Sequence, residues 1–106
     1  SPQQMAISQI LKTIRQGQID YAYSLKDGSI EVIEIVIQKG TQTGSLIGKF
    51  ISDIKLPKGI DIVGIIHKKR LIIPTSASQL KNDDHLVIFT QGSDIIKKID
   101  SLFKQT

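Results

Sequence analysis

The stretch from residue 60 to 74, IDIVGIIHKKRLIIP, constrains this chain more than any other feature. It consists of an apolar, β-branched run, a basic segment from His67 to Arg70, and a second apolar run that ends at Pro74. Dense Ile, Val and Leu in short runs is typical of buried strands, and the basic segment cannot be buried with them. The pattern therefore predicts a β-hairpin whose arms form the core of a small sheet and whose tip carries a compact positive patch.

The composition is that of a single small globular domain. The chain has 106 residues and no cysteine, which excludes a disulfide framework, a cysteine-ligated zinc site and a thiol nucleophile. With 5% aromatic residues and no Trp, it lacks the composition of a base-stacking nucleic-acid surface. The net charge of +4 permits attraction to anionic ligands, although a solvated lysine-rich surface explains it equally well. No apolar run approaches the roughly 18 residues of a transmembrane helix, so we predict that the chain does not span a membrane.

Three segments show the spacing of amphipathic helices. One of them covers residues 45 to 54, with Ser45 as its N-terminal cap, and another begins at Ser93 and Asp94. The remaining one lies near the start of the chain and covers residues 3 to 16. Its apolar face consists of Ile7, Ile10, Leu11 and Ile14. That face can pack on this domain or on a second copy, and the sequence does not choose between them.

Strand patterns fill most of the remaining chain. Residues 30 to 37 and 85 to 90 predict strands. In the first, the three-residue spacing of Glu31 and Glu34 would also suit a helix, but the β-branched residues around them favour a strand. Residues 19 to 25 alternate strictly, which predicts a half-buried strand whose apolar face is formed by Ile19, Tyr21, Tyr23 and Leu25. The predicted fold is therefore α+β: a small, mostly antiparallel sheet with a short helix and a C-terminal helix, preceded by an N-terminal connecting helix.

Catalytic and metal-binding patterns are weak in this sequence. His67 and His85 are the only histidines, and a metal site needs three or four ligands in a defined geometry. Asp83 and Asp84, which precede His85, are more simply interpreted as a solvated turn. The glycines form neither a dinucleotide-binding fingerprint nor a P-loop, and there is no G-x-S-x-G nucleophile elbow. We therefore predict no catalytic residues, no metal site and no enzyme activity.

Several motifs occur in an order that matches a known family. They are ILKTIRQG at 10–17, SLKDG at 24–28, DIKLPKG at 53–59 and DDHLVIF at 83–89. With them the chain resembles, over essentially its whole length, the RCK C-terminal (TrkA-C) domain of Trk potassium-uptake regulatory subunits. The resemblance implies a connecting helix over residues 1–18 and the RCK C-terminal domain over residues 19–106.

The resemblance also implies a role. Such domains are cytoplasmic, peripheral to the inner membrane, and work as homodimers that help to couple ligand state to a membrane potassium channel or transporter subunit. The cofactor of complete subunits, NAD(H) or ATP, is expected on an RCK N-terminal domain, so no cofactor is expected in the present fragment. Nucleic acid is not an expected partner, and a basic domain that binds nucleic acid is only a distant third hypothesis.

The alternative function is a small-molecule sensor, because some relatives bind cyclic di-AMP between two such domains. Carried over to this chain, the ligand-binding residues are His67, Arg70 and Pro74. Many relatives have Arg at the position of His67 and a glycine in the turn formed here by Lys68 and Lys69. We expect the dimer interface to come from the hairpin arms and the first helix, with Ile7, Ile10, Leu11, Ile14, Ile62 and Ile65.

Overall fold

The computed structural model describes residues 19–25 and 29–105, and its main element is a five-stranded antiparallel sheet. The strands are β1 (Ile19–Leu25), β2 (Ile30–Val36), β3 (Ile60–His67), β4 (Arg70–Ile72) and β5 (His85–Gln91). Their order across the sheet is β1-β2-β5-β3-β4. The chain ends in the helix α1 (Ile95–Leu102). The predicted fold class is confirmed, while the predicted helix at 3–16 and the segment 1–18 lie outside the described residues.

β5 is the central strand, hydrogen-bonded to β2 on one side and to β3 on the other. Its residues alternate in burial, and Leu86, Ile88 and Thr90 are fully buried on one face of the sheet. We call this side of the sheet the core face. The core face is covered by Ile99 and Leu102 of α1 and by Phe103, which follows the helix. The first arm of the predicted hairpin, β3, contributes Ile60, Ile62 and Ile65 to the same core.

A β-bulge lies in β3, where the register with β5 shifts between Ile62 and Gly64. Without it the strict alternation along the strand would turn Ile65 away from the core. With the extra residue, Val63 is 39% exposed, whereas Ile65 is only 3% exposed. The bulge therefore keeps both ends of β3 in the core.

The prediction for β1 has the correct strand but the wrong buried face. Tyr23, on the predicted apolar face, is 49% exposed, while Ser24 is 1% exposed. The reason is the register with β2, because Ser24 pairs with Glu31 on the face that also carries the buried Ile33. The register with β2, and not the apolar character of its own side chains, therefore decides which face of the edge strand β1 is buried.

The prediction that both hairpin arms lie in the core is wrong for the second arm. β4 is a short edge strand that, among the described residues, pairs only with β3, and its burial pattern is exposed throughout. Leu71 is 65% exposed and Ile72 is 42% exposed, and Ile73, just beyond the strand, is 70% exposed. We call these three consecutive exposed apolar residues the β4 strip.

The predicted helix over residues 45 to 54 is wrong in type and bounds. Two short 3-10 helices, Gln42–Leu46 and Ile51–Asp53, occupy this region instead. Between them Gly48 has a φ of +88°, which lies outside helical geometry. Ser45 does not cap a helix, because its hydroxyl donates to the carbonyl oxygen of Phe103 at 2.5 Å. This contact fastens the region to the end of α1.

Candidate functional site

A cavity of about 150 Å³ lies between the β3–β4 hairpin and the segment that leads to β5. Ile65 and Ile72 form its apolar side. The polar side consists of His67, Ser78, Gln79, Lys81 and Asp84. Apolar walls with a few convergent polar groups are typical of small-molecule sites. We call this site the hairpin cavity.

Asp84 is the anchor of the cavity wall. It is only 2% exposed, and both of its carboxylate oxygens accept hydrogen bonds. Oδ1 accepts from Nδ1 of His67 at 2.5 Å, and Oδ2 accepts from the backbone N–H of Lys81 at 2.9 Å. Since a buried carboxylate is costly unless it is paired and hydrogen-bonded, these two donors explain its burial. The pairing orients the His67 ring in the wall of the cavity.

The backbone around Asp84 is fastened to the end of β2. The N–H of Ile37 donates to the carbonyl oxygen of Asp84, and the N–H of Asp83 donates to the carbonyl oxygen of Ile37, both at 2.9 Å. Asp83 has a φ of 68°, so the chain reverses there and directs the next side chain inward. The predicted solvated turn is therefore correct for the exposed Asp83 and wrong for Asp84.

The polar side of the cavity is held in place by Leu80, which is fully buried. The backbone of Leu80 bonds to Gly48 and Lys49, with N···O distances of 2.8 and 2.9 Å. The N–H of Ile51 donates to the carbonyl oxygen of Ser78 at 2.8 Å. These bonds fix a segment without regular structure, which is how Ser78 and its neighbours come to line a cavity with β3.

The hairpin turn adds positive charge beside the cavity. Lys68 and Lys69 have φ values of 47° and 68°, the left-handed conformation that a two-residue hairpin turn of type I′ requires. Both lysines and Arg70 are exposed. With Lys81 in the cavity wall, this cluster of cations favours an anionic ligand over a neutral one.

The predicted ligand-binding residues are only partly brought together. His67 lines the hairpin cavity, whereas Arg70 and Pro74 are not part of its lining. Sequence reasoning did not find Gln79, Lys81 or Asp84, because no local pattern shows which part of a polar connection docks against a strand. The buried Leu80 was the one available signal, since an isolated apolar residue in such a segment marks a docking point.

The residues predicted for a dimer interface fall into two groups. Ile62 and Ile65 lie in the core with exposed fractions of 5% and 3%, so they offer little surface to a second copy. The other four, Ile7, Ile10, Leu11 and Ile14, lie outside the described residues. The most exposed apolar side chains of the hairpin lie in the neighbouring β4 strip.

His85 forms a separate pair on the opposite face of the sheet. Its Nδ1 lies 2.8 Å from Oε2 of Glu34, and both side chains are about 30% exposed. Because consecutive residues point to opposite faces, this pair is separated from the one formed by Asp84 and His67. Within residues 19–25 and 29–105, no three His, Cys, Asp or Glu side chains converge on a metal position.

No helix in the described part of the chain combines the length and apolar character needed to cross a membrane.

A family model of the TrkA-C domain matches residues 32–104. The Trk system potassium uptake protein TrkA of Vibrio alginolyticus is 34% identical over 104 residues, which are 98% of this chain and 23% of that protein. The chain thus spans less than a quarter of the length of the curated relatives it matches.

Two solved structures from S. agalactiae are also similar. The RCK_C domain dimer of BusR in complex with c-di-AMP is 25% identical with a TM-score of 0.50, and the match covers 66% of this chain and 85% of that chain. BusR in complex with its busAB-promotor DNA is 20% identical with a TM-score of 0.51, and the match covers 94% of this chain and 44% of that chain. At 20% identity the second likeness shows the fold alone.

Replacing Asp84 with Asn is expected to lower the free energy of unfolding by about 1 to 3 kcal/mol. The amide keeps one acceptor but directs its NH₂ group at a donor, either the ring of His67 or the N–H of Lys81. Urea denaturation followed by circular dichroism measures the loss. Asp83→Asn is the matched control, since Asp83 is exposed and Asn tolerates its φ; we expect a change within about 0.5 kcal/mol. Equal losses in the two variants would contradict the anchoring role of Asp84.

Proposed function

The chain belongs to the TrkA-C domain family, and on that premise we propose that it is a regulatory domain of a Trk-type potassium uptake system. The observation that carries the proposal is the family match over residues 32–104, together with 34% identity to a TrkA protein along nearly the whole chain. The domain acts by assembly and ligand response and not by catalysis. Its partner is the membrane potassium channel or transporter subunit of the same system.

In this proposal the domain comprises residues 19–106, and residues 1–18, which lie outside the described residues, are the predicted connecting helix. It works on the cytoplasmic side, peripheral to the inner membrane, and passes a ligand-driven rearrangement to the membrane subunit. NAD(H) or ATP binds to a separate nucleotide-binding domain of the complete subunit. This division of labour agrees with the absence of a glycine fingerprint for dinucleotides from the sequence.

Homodimerisation through the β4 strip is part of the same proposal. In the described sheet β4 is an edge strand, and its exposed apolar side chains flank that edge on both faces, with Ile72 on the face of Ile65 and Leu71 on the other. Large exposed apolar side chains beside an open strand edge favour pairing with another chain. The similar RCK_C domain of BusR forms a dimer, which supports this assignment.

A sensor of cyclic di-AMP is the second candidate function, and the hairpin cavity favours it. Its apolar side suits the face of a purine, while Lys81 and the exposed cations of the turn suit phosphate groups. The hairpin cavity lies next to the β4 strip, because Ile72 belongs to both. A ligand bound there would contact two copies of the domain at once, and the BusR domain dimer binds this ligand.

Deleting the codons for residues 19–106 tests the regulatory role. We expect rubidium-tracer uptake at low external potassium to fall several-fold, because the membrane subunit loses its regulator. In a strain that already lacks the Trk-type membrane subunit, the same deletion should have no further effect. A full additional loss in that strain, or unchanged uptake in the parent strain, would contradict the proposal.

Ile73→Glu tests the dimer. A charge in the centre of an apolar contact is expected to raise the dimer dissociation constant at least about tenfold, measured by sedimentation equilibrium. Tyr23→Glu is the matched control, since Tyr23 is also an exposed large side chain but lies on β1 at the other edge of the sheet. A wild-type chain that stays monomeric at high concentration would rule out the interface.

Cyclic di-AMP should raise the melting temperature of the wild-type chain, while NAD(H) and ATP should leave it unchanged. Lys81→Ala is expected to weaken the cyclic di-AMP effect at least about tenfold in ligand concentration, because a phosphate contact is lost. Lys97→Ala, an exposed lysine on α1, is the control and should keep the full response. No shift with cyclic di-AMP at millimolar concentration would eliminate the sensor function.

A further inference from the structure

The side of the sheet opposite to the core face, which we call the outer face, carries apolar residues from all five strands. Residues directly opposite one another on neighbouring strands share a face, so the strand register assigns them. Tyr23 pairs with Val32 and Val32 pairs with Phe89, which gives one apolar row across three strands. The apolar residues of the outer face include Tyr23, Val32, Phe89, Val87, Ile66 and Leu71.

The described residues leave the outer face open. Tyr23 is 49% exposed, Leu71 is 65% exposed and the other four residues are half-buried. A Cβ atom at Gly64 would lie 3.0 Å from Cδ1 of Leu71 and 3.4 Å from Cβ of Val87, so these two side chains meet over β3. An antiparallel sheet face that is left in water normally carries polar residues. The outer face instead has the composition of a surface that packs against another element.

The segment that precedes β1 needs an apolar surface of this kind. Its predicted helix over residues 3–16 has an apolar face that consists of Ile7, Ile10, Leu11 and Ile14. A helix of this length is marginal in water by itself, and in proteins most helical stability comes from packing of the apolar face. The core face is already covered by α1 and by the residue that follows it. The outer face is the apolar surface that remains.

The length and the connection of the segment favour the outer face of the same chain. Fourteen helical residues span about 21 Å at 1.5 Å per residue. The seven-residue strands β2 and β5 span about 23 Å, so the helix matches the length of the sheet. Gly17 and Gln18 separate the predicted helix from Ile19, the first residue of β1. Such a short connection joins elements that are neighbours in space.

The charges of the segment and of the outer face are complementary. Residues 1–18 contain Lys12 and Arg15 and no acidic residue. The outer face carries Glu34 on β2 and Asp61 on β3, and the described strands contribute no Lys or Arg to it. A basic segment is therefore attracted to this face, while a second outer face would bring carboxylates together.

We propose that residues 3–16 dock as an amphipathic helix on the outer face of their own sheet, over β1, β2 and β5. The docked helix makes the domain a three-layer structure, with the sheet between this helix and α1. Because the connection leads to β1, the opposite edge of the sheet with the β4 strip lies outside the docking surface. The inference is independent of the Trk assignment and of the hairpin cavity.

Engineered cysteine pairs in the full chain test the docking, since the chain contains no cysteine. Ile10→Cys is combined with Val32→Cys or with Phe89→Cys and oxidised in dilute solution, and the product is identified by non-reducing electrophoresis and mass spectrometry. At least one pair should form an intramolecular disulfide at least about tenfold faster than the same pair with Gln9→Cys, on the other side of the predicted helix. Lys97→Cys, at an exposed position of α1, should not crosslink to Ile10→Cys.

Three results would overturn the proposal. Equal rates for the Ile10→Cys and Gln9→Cys pairs would show that no defined helix face meets the sheet. A fastest disulfide to Lys97→Cys would place the segment on the side of α1. Disulfides that form between chains would assign the outer face to the segment of a second copy.

Thermal unfolding of the full chain gives a second readout. Ile10→Asp places a charge in the apolar contact and should lower the melting temperature by at least about 5 °C. Gln9→Asp adds the same charge to the same turn on the opposite side, and its shift should stay within about 2 °C. An unchanged melting temperature for Ile10→Asp, or equal shifts for the two variants, would contradict the docking.

Discussion

The pairing of β5 on both of its edges is the constraint on which the rest of this structure depends. β2 and β3 lie far apart in the chain, and each is hydrogen-bonded to β5, so the sheet exists only once the last strand is inserted between them. Insertion also buries Leu86 and Ile88 completely. Long-range antiparallel pairing of this kind closes large loops, and the apolar core of the sheet compensates for the entropy of closing them.

The two ends of β5 position the buried polar side chains of the sheet. At its beginning, the turn before the strand places Asp84 against His67, while the next residue, His85, faces the other side of the sheet and pairs with Glu34. At its end, Thr90 lies opposite Glu31. The strand therefore separates the hairpin cavity from the buried pair of Glu31 and Thr90 by its own length, with the apolar core between them.

The two buried carboxylates of the core side differ in how they are satisfied. Asp84 accepts hydrogen bonds on both oxygens from groups that the fold itself supplies, and this makes it a structural anchor. Glu31 has an oxygen without a partner among the described residues, although it is almost as deeply buried. The same physical rule, that buried charge must be compensated, explains the first by hydrogen bonds within the chain, and for the second it is the reason that burial raises the pKa of the Glu31 carboxyl.

The sequence by itself determined the fold class, the hairpin at residues 68–69 and the family, because these depend on local periodicity and on motifs that are continuous in the chain. It did not determine which face of β1 is buried, since that depends on the register with β2. Nor did it reveal the exposure of the β4 strip, the burial of Asp84 or the composition of the hairpin cavity. Burial and site geometry depend on which segments meet across the sheet, so only the tertiary structure decided them.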